Sequence, residues 1–253
     1  MTEKEPRSKN GFRWTDADAY LFDVDGTLLI SRDRVHRNAL YQAMREIYGI
    51  DTTIDGIAYH GKTDLGILRA ALEREGVSSR TFEQRLPRAL EVVRREVEAK
   101  AAEIHPNVFD GIVAVLRHLK TAGKLLGVAS GNLEAVGWHK VRAARLRDFF
   151  SFGCFSDQHE HRSEVFQEAA TEVRLRLGDD AVLCFVGDTP EDIKAARHAK
   201  ARVIAVGTGI FKPEELADWQ PDICVASCTE LLSRGAEDAF QLSSPADRQA
   251  PQS

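Results

Sequence analysis

The chain alternates short β-rich runs with longer amphipathic stretches, and this alternation limits the possible folds more than any other feature. Five runs predict strands, and several of them are bounded by Gly or Asp: 20–24, 125–129, 181–186, 202–206 and 222–225. Amphipathic segments between them predict helices: 111–122, 133–144, 163–177 and 190–200. Apolar strands joined through helices form parallel sheets that are covered on both faces. The sequence therefore predicts an α/β fold with a Rossmann-like parallel sheet flanked by helices.

About a hundred residues separate the first predicted strand from the second, far more than one crossover needs. Most of this interval predicts helix, at 34–48, 64–75 and 81–102. We therefore expect an α-helical cap domain, residues 31–105, inserted after the first strand. The α/β core would then comprise residues 14–30 and 106–236. The ends, residues 1–13 and 237–253, are expected to be flexible.

Composition excludes several classes of protein. The 253 residues are 43% hydrophobic and 29% charged, as in an ordinary globular protein. The net charge of −5 offers no basic surface to a nucleic acid or an anionic membrane, so neither partner is expected. No stretch resembles a signal peptide or a membrane helix, which favours a cytoplasmic location. The cysteines lack paired spacing and are predicted to be reduced core thiols: Cys154, Cys184, Cys224 and Cys228.

Two carboxylates follow the first predicted strand, in the run Asp23-Val24-Asp25-Gly26-Thr27. An Asp-Gly turn would account for part of this run. The alternative is chemical, because a carboxylate at the sheet edge can attack phosphorus while a second one moves a proton.

Another acidic run, residues 187–192, follows the predicted strand at 181–186. Thr189 and Asp192 have the spacing of a helix cap, and Pro190 is favoured at the first helical position. Capping does not explain Asp188. If the strands are neighbours, Asp188 and Asp192 would crowd Asp23 and Asp25. Like charges about 4 Å apart repel by roughly 4 kcal/mol at an effective dielectric constant of about 20. A cation would offset this repulsion, and an all-oxygen ligand set favours Mg²⁺.

Two further segments suggest anion binding. Ser130-Gly131-Asn132 lies between a predicted strand and a predicted helix, where a hydroxyl and free N–H groups can bind phosphate. Ser130 or Asn132 could instead cap the helix. Arg162 begins another predicted helix, where it could bring a positive charge to a phosphate oxygen. Its ordinary interpretation is an exposed surface arginine.

Together these motifs resemble the haloacid dehalogenase (HAD) superfamily of hydrolases, most of which are Mg²⁺-dependent phosphatases. Residues 23–27 resemble its Asp-x-Asp-x-Thr signature, Ser130 resembles the Ser/Thr of its second motif, and Asp188 with Asp192 resembles its acidic fourth motif. The phosphoglycolate phosphatase-like branch is the most similar, because it also tends to carry Gly-Lys-Thr-Asp in the cap, here residues 61–64.

The resemblance implies roles for four aspartates. Asp23 would be the nucleophile that forms an aspartyl-phosphate. Asp25 would be the general acid that protonates the leaving alcohol and then activates water. Asp23, the backbone carbonyl of Asp25, and Asp188 would hold Mg²⁺, with Asp192 in support. The dehalogenases lack the second aspartate, so Asp25 favours phosphate chemistry.

The resemblance also implies a phosphate site formed by Ser130 and the N–H of Gly131. The third motif of the family is normally a lysine, whereas this chain has Arg162 at that place. Arginine stays charged and can bind phosphate through two N–H groups. Lys140 is the alternative for this role.

We therefore expect a Mg²⁺-dependent phosphatase whose partner is a small phosphorylated metabolite. A phosphomutase similar to β-phosphoglucomutase and a catalytically silent phosphate-ester-binding protein are the alternatives. A phosphonate hydrolase would need a cap lysine, for which Lys62 is the candidate. The stretch 61–64 would either read the substrate or, through Thr63, cap a helix.

Overall fold

The computed structural model describes residues 11–57 and 60–233. Its strands, in chain order, are β1 (Ala19–Phe22), β2 (Leu29–Ile30), β3 (Asn107–Val108), β4 (Leu125–Ala129), β5 (Phe152–Cys154), β6 (Leu183–Gly187), β7 (Arg202–Val206) and β8 (Ile223–Val225). Six of them form a parallel sheet in the order β5-β4-β1-β6-β7-β8. The predicted α/β fold is confirmed, and every predicted strand is present. Sequence patterns missed β2, β3 and β5.

The helices are α1 (Val35–Ala43), α2 (Asp64–Arg74), α3 (Ser79–Ala99), α4 (Ile112–Thr121), α5 (Glu134–Ala143), α6 (Arg162–Leu177), α7 (Pro190–His198) and α8 (Pro213–Ala217). Each predicted helix is found, and α8 is additional. A π-helical turn, Met44–Tyr48, continues α1 and ends at Gly49 in the left-handed conformation.

Successive side chains of β1 enter two separate clusters of apolar residues. Tyr20 and Phe22 lie in one cluster, whereas Ala19 and Leu21 lie in the other. Alternate side chains of a strand point to opposite faces, so the sheet is buried on both sides. Double-sided burial explains why its strands are nearly continuous apolar runs.

The interval between β2 and β3 contains helices and loops, which we call the helical segment (residues 35–103). Its apolar residues form a third cluster, which includes Leu68, Phe82 and Val93. Leu133 and Val136, at the start of α5, belong to the same cluster. The helical segment therefore packs against α5. At its base, β2 and β3 pair in antiparallel fashion. The boundaries at residues 30–31 and 105–106 stay predictions.

The predicted flexible ends lie largely outside the described residues, although Phe12 is buried in the core. The four cysteines are free thiols, as predicted. Within residues 11–57 and 60–233, no helix is both long and apolar enough to cross a membrane.

The sheet order positions the functional residues. β1 lies between β4 and β6, and all three strands are parallel. Their carboxyl ends therefore meet at one edge, which brings together the loops that begin at Asp23, Ser130 and Asp188. Ligands bind at this edge in open parallel sheets.

Candidate active site

Three of the four aspartates predicted to crowd together do so. Carboxylate oxygens of Asp23, Asp188 and Asp192 all lie within 4.8 Å of one another, and all three residues are buried. The side chain of Asp25 does not join this cluster and contacts Lys140 instead. Strand adjacency explains the convergence, because Asp23 follows β1 and Asp188 follows β6.

The side chain of Asp188 is enclosed by small neighbours. Its Oδ1 accepts a hydrogen bond from Thr27 Oγ1 at 3.1 Å. A Cβ on Gly209 would lie 1.8 Å from Asp188 Oδ2, and one on Gly26 would lie 2.3 Å from the same atom. Any larger residue at either glycine would displace this carboxylate.

Asp192 has the capping role that the sequence predicts. Its Oδ2 accepts hydrogen bonds from Thr189 N at 3.0 Å and Thr189 Oγ1 at 2.7 Å. Its Oδ1 lies 2.6 Å from Arg162 Nε. Protein groups thus contact both carboxylate oxygens of Asp192. The carboxylates of Asp23 and Asp188 have fewer such contacts.

Arg162 is buried at the start of α6, so its interpretation as an exposed surface arginine is wrong. Its Nη2 lies 2.6 Å from Asp23 Oδ2, and its Nε forms the ion pair with Asp192. Burial opposes the charged form of this guanidinium, but Asp192 and Asp23 outweigh burial and raise its pKa. Burying an arginine without carboxylate partners is costly. Arg162 can be buried here because the acidic cluster provides such partners.

One guanidinium does not neutralise three carboxylates. Burial raises the pKa of Asp23 to about 6, against the lowering effect of Arg162. Burial and repulsion from Asp192 and Asp23 also raise the pKa of Asp188 well above its usual range. The protein alone therefore leaves negative charge uncompensated at this edge of the sheet.

Asp25 lies among different groups. Its Oδ2 accepts hydrogen bonds from Lys140 Nζ at 2.6 Å and from Asn132 Nδ2 at 2.8 Å. Burial alone would raise its pKa, but the charge of Lys140 and the hydrogen bonds from Lys140 and Asn132 lower it. Of the Asp25 side chain, 41% is exposed, and it faces the cleft between the sheet edge and the helical segment. The two aspartates of the first motif thus occupy environments with opposite effects on their pKa values.

Ser130 and Asn132 do not cap α5, whose N-cap residue is Leu133. Asp64 Oδ2 accepts the hydrogen bond from Leu133 N, and Asp157 Oδ2 accepts the one from Glu134 N. Carboxylates from other parts of the chain thus satisfy these two N–H groups. The capping interpretation of Ser130 and Asn132 is wrong, and both side chains are directed to the site.

Ser130 and Gly131 line the same cleft as Asp23. Ser130 Oγ accepts a hydrogen bond from Asn132 Nδ2 at 2.9 Å. Among the described residues, the N–H of Gly131 has no hydrogen-bond acceptor. A Cβ on Gly131 would lie 2.6 Å from the carbonyl oxygen of Lys62, so only glycine fits against the helical segment here.

The stretch 61–64 joins the helical segment to the sheet edge. Thr63 is the N-cap of α2, as one interpretation predicted, since its Oγ1 accepts from Gly66 N at 3.0 Å. The same hydroxyl donates to the carbonyl of Glu160 at 2.6 Å, and Asp64 N donates to the carbonyl of Gly131 at 2.7 Å. The hydroxyl of Thr63 therefore has both a capping and a bridging role.

The cluster of Asp23, Asp188 and Asp192 fits a divalent cation. Its ligand set is all oxygen, it carries excess negative charge, and Gly26 and Gly209 leave room only for the Asp188 carboxylate. Oxygen ligands of this kind suit Mg²⁺, Ca²⁺ or Mn²⁺ rather than zinc.

A cleft of about 590 Å³ separates the sheet edge from the helical segment. Asp23, Asp25 and Arg162 are among the residues that line it. Four exposed cationic side chains also line the cleft, and none of them forms an ion pair with the described residues: Arg32, Arg34, Arg37 and Lys62.

Sequence reasoning did not identify His36, and it included Asn132 and Asp64 only as members of the stretches 130–132 and 61–64, without their contacts to Asp25 and His36. It named Lys140 only as a substitute for Arg162. One sequence signal did indicate a buried position for Lys140. Lys140 falls on the apolar stripe of α5, four residues after Val136 and one before Val141. A lysine at a buried helical position requires acidic or polar partners.

Known proteins are similar to this chain in sequence and in fold. Residues 20–206 match the family described as Haloacid dehalogenase-like hydrolase. The probable phosphatase IndB of Dickeya dadantii (strain 3937) is 28% identical over 232 residues, which cover 88% of this chain and 95% of that protein. Pyrophosphatase PpaX of Listeria innocua serovar 6a is 24% identical over 218 residues, covering 84% and 94%.

A solved structure, CbbY from Rhodobacter sphaeroides in complex with phosphate, superposes with a TM-score of 0.63 at 21% identity. The superposition covers 85% of this chain and 96% of CbbY. It supports the fold assignment. The chain belongs to the haloacid dehalogenase-like hydrolase family, and it is a hydrolase of the phosphatase type.

Proposed function

We propose that this chain is a Mg²⁺-dependent phosphatase that hydrolyses a small phosphorylated metabolite through an aspartyl-phosphate on Asp23. One observation carries the proposal. Asp23 lies at the carboxyl end of the central strand, with Arg162 and Asp188 on one side, while Asp25 faces the same cleft from a separate environment.

The two aspartates suit two different tasks. The Asp23 carboxylate attacks phosphorus, and the bond between phosphorus and the leaving oxygen breaks. Asp25 gives a proton to that oxygen and then takes one from the water that hydrolyses the aspartyl-phosphate. The two tasks need different surroundings, and these two carboxylates lie in different surroundings. Without metal the pKa of Asp23 is raised, so a cation bound beside it would be needed to favour the attacking carboxylate. The lowered pKa of Asp25 makes it, once protonated, the stronger proton donor of the two.

The remaining groups bind and orient the phosphoryl group. Arg162 fixes Asp23 through its Nη2 and adds positive charge beside the transferring oxygens. Ser130 and the N–H of Gly131 would donate hydrogen bonds to phosphate from the β4 loop.

Asp23, the backbone carbonyl of Asp25, and Asp188 would hold Mg²⁺, with Asp192 in support because both its oxygens already have protein partners. Bound there, the ion would neutralise the carboxylates and polarise the phosphoryl group. The excess negative charge among Asp23, Asp188 and Asp192 supports this assignment.

The substrate we propose is small and anionic. The cleft has the volume of a metabolite site, and the cationic side chains that line it complement negative charge. The phosphatase names of the two relatives favour hydrolysis over the mutase and the silent binding protein.

Assays of phosphate release test the proposal. Purified protein should hydrolyse p-nitrophenyl phosphate with Mg²⁺, and EDTA should abolish the activity. A panel of phosphorylated metabolites would then identify the preferred substrate. Conversion of a sugar phosphate into an isomer without free phosphate would instead indicate the mutase. Tight binding of phosphate esters without turnover would indicate the silent protein.

A further inference from the structure

Lys140 is buried in α5, and each of its three N–H donors has an acceptor. Its Nζ lies 2.6 Å from Asp25 Oδ2, 2.9 Å from Asn132 Oδ1 and 3.2 Å from His36 Nδ1. An ammonium group has three donors, so this lysine is fully satisfied within the protein. It has no donor left to bind a phosphate oxygen directly.

The hydrogen bonds assign the state of His36. Because Lys140 can only donate, Nδ1 of His36 accepts and is unprotonated. The ring proton is then on Nε2, which donates to Asp64 Oδ2 at 2.8 Å. Asp64 Oδ2 also accepts from Leu133 N at 2.8 Å, at the start of α5. The hydrogen bonds therefore run continuously from Asp64 through His36 and Lys140 to Asp25.

This network engages only one oxygen of Asp25. Lys140 and Asn132 both bind Oδ2, whereas Oδ1 has no hydrogen-bond partner among the described residues. Since the side chain is partly open to the cleft, Oδ1 is the atom that can reach a leaving oxygen. Two donors on Oδ2 also stabilise the carboxylate that remains after the proton has left Oδ1.

We propose that Lys140 is a positioning residue for proton transfer by Asp25, and that His36 and Asp64 make this positioning depend on the docked helical segment. His36 lies in α1 and Asp64 begins α2, so displacement of this segment would remove one acceptor from Lys140. This inference rests on the proposed phosphatase function. It extends that function by assigning a role to a lysine that contacts neither Asp23 nor Arg162 in the structure.

The dependence on leaving group tests the role of Lys140. Departure of p-nitrophenolate needs no protonation, whereas departure of an alcohol from β-glycerol phosphate does. The value of kcat/KM includes only the steps through that departure. For Lys140→Met, we expect kcat/KM for β-glycerol phosphate to fall about a hundredfold, within the usual range for general acid catalysis. For p-nitrophenyl phosphate, it should fall by less than about threefold because no acid is required.

Two further variants test the link to the helical segment. His36→Asn places an amide oxygen near the position of Nδ1 but cannot reach Asp64, and Asp64→Asn weakens the same link without altering the sheet. In both variants, kcat/KM should fall more for β-glycerol phosphate than for p-nitrophenyl phosphate. The difference should be smaller than in Lys140→Met. Lys120→Met is the matched control, since Lys120 is an exposed lysine of α4 whose ammonium contacts the carbonyl of Asp148 and the ring of Phe149, away from the site. It should leave both kcat/KM values unchanged.

An equal loss on both substrates in Lys140→Met, His36→Asn and Asp64→Asn would overturn the inference while leaving the phosphatase function intact. Unchanged kinetics in a folded Lys140→Met protein would do the same. If Lys140→Met does not fold, the ratio of the two kcat/KM values in His36→Asn decides, and an unaltered ratio contradicts the role. Absence of phosphate release by the wild-type protein would overturn the function and this inference together.

Discussion

At the scale of single residues, the site depends on how one arginine and one lysine are distributed among four aspartates. Arg162 contacts Asp23 and Asp192, whereas Lys140 contacts Asp25. The sequence resemblance left Arg162 and Lys140 as alternatives for the cation of the family's third motif. The structure shows that each contacts a different aspartate of the first motif, which gives the proposed nucleophile and the proposed acid separate environments.

Replacing Arg162 tests whether its two-pronged contact matters. Lysine keeps the charge but cannot contact Asp23 and Asp192 simultaneously through a planar fork, so we expect Arg162→Lys to lower kcat/KM about ten- to a hundredfold. Arg162→Met should also destabilise the metal-free protein by about 3–5 kcal/mol, because it leaves buried carboxylates without a cation. Steady-state kinetics and urea unfolding measure these effects. A fully active Arg162→Lys enzyme would contradict the assignment.

The pKa of Asp23 predicts how stability depends on pH without metal. Its pKa is about 6 in the folded protein and 3.8 when unperturbed, so the folded state binds more protons between these values. Stability should therefore fall as pH rises through this window. Asp23→Asn removes this term and should flatten the wild-type decline. Asp25, with its lowered pKa, contributes stability that is lost only below its ordinary pKa of 3.8.

Thermal unfolding in EDTA from pH 4 to pH 7.5 checks this prediction. For a chain of this size, each kcal/mol shifts Tm by roughly 2–4 °C. Asp23→Asn should unfold at a higher temperature than the wild type at pH 7, and the difference should shrink toward pH 4. Added Mg²⁺ should raise the Tm of the wild type more than that of the variant. Parallel pH profiles for the two proteins would refute the raised pKa.

At the scale of elements, strand patterns predicted the sheet because its strands are buried on both faces. They missed β5, which has three residues with Gly153 at its centre, and which is too short to show a pattern. They also missed β2 and β3, which have two residues each and pair across almost eighty positions of sequence. Such pairs depend on tertiary contacts rather than local propensity.

In the site, too, local sequence patterns identified some residues and tertiary contacts decided the others. Asp23, Asp188 and Ser130 could be predicted because each directly follows a strand and chain order reveals which edge they share. Asp64 could not be assigned, because its contact with Leu133 depends on how the helical segment docks. The alternative in which Ser130 or Asn132 caps α5 was wrong for this reason, since carboxylates distant in sequence satisfy the start of α5.

Gly209, in the loop after β7, allows a test of the metal site proposed at Asp188. Gly209 has no side chain because Asp188 Oδ2 occupies the adjacent space, so Gly209→Ala must displace that carboxylate. We expect the Mg²⁺ concentration for half-maximal activity to rise about ten- to a hundredfold, as for losses in metal-site support. Gly123→Ala is the control for backbone strain alone, because Gly123 has a φ of +72° and its Cβ would meet nothing within 4 Å. It should lower stability and leave the Mg²⁺ requirement unchanged. An unchanged Mg²⁺ requirement in Gly209→Ala would contradict the metal assignment of Asp188.

At the scale of the whole molecule, the helical segment docks on the sheet edge through a few directional contacts. Thr63 Oγ1 donates to the carbonyl of Glu160, and the Glu160 side chain pairs with Arg69 Nη2 at 2.6 Å. Asp64 N donates to the carbonyl of Gly131. These contacts hold the start of α2 against the sheet edge that carries Ser130 and Gly131.

Replacing Thr63 separates docking from helix stability. Thr63→Val removes both the α2 cap and the bond to Glu160, whereas Ser78→Ala removes only the exposed cap of α3. Each lost cap should cost about 1 kcal/mol. Only Thr63→Val should lower kcat/KM and accelerate hydrogen exchange across α2. Equal kinetics in the two variants would show that docking through Thr63 does not matter for turnover.

The covalent intermediate on Asp23 is the central claim, and acid-quench mass spectrometry tests it most directly. Asp25→Asn is the variant to use, because it slows hydrolysis of the intermediate, and p-nitrophenyl phosphate is the substrate, because its departure needs no acid. Within one turnover, the protein should gain one phosphoryl group, and peptide mapping should locate that group on Asp23. The additional change Asp23→Asn should abolish the mass shift. A phosphoryl group on any other residue, or activity that survives Asp23→Asn, would contradict the account.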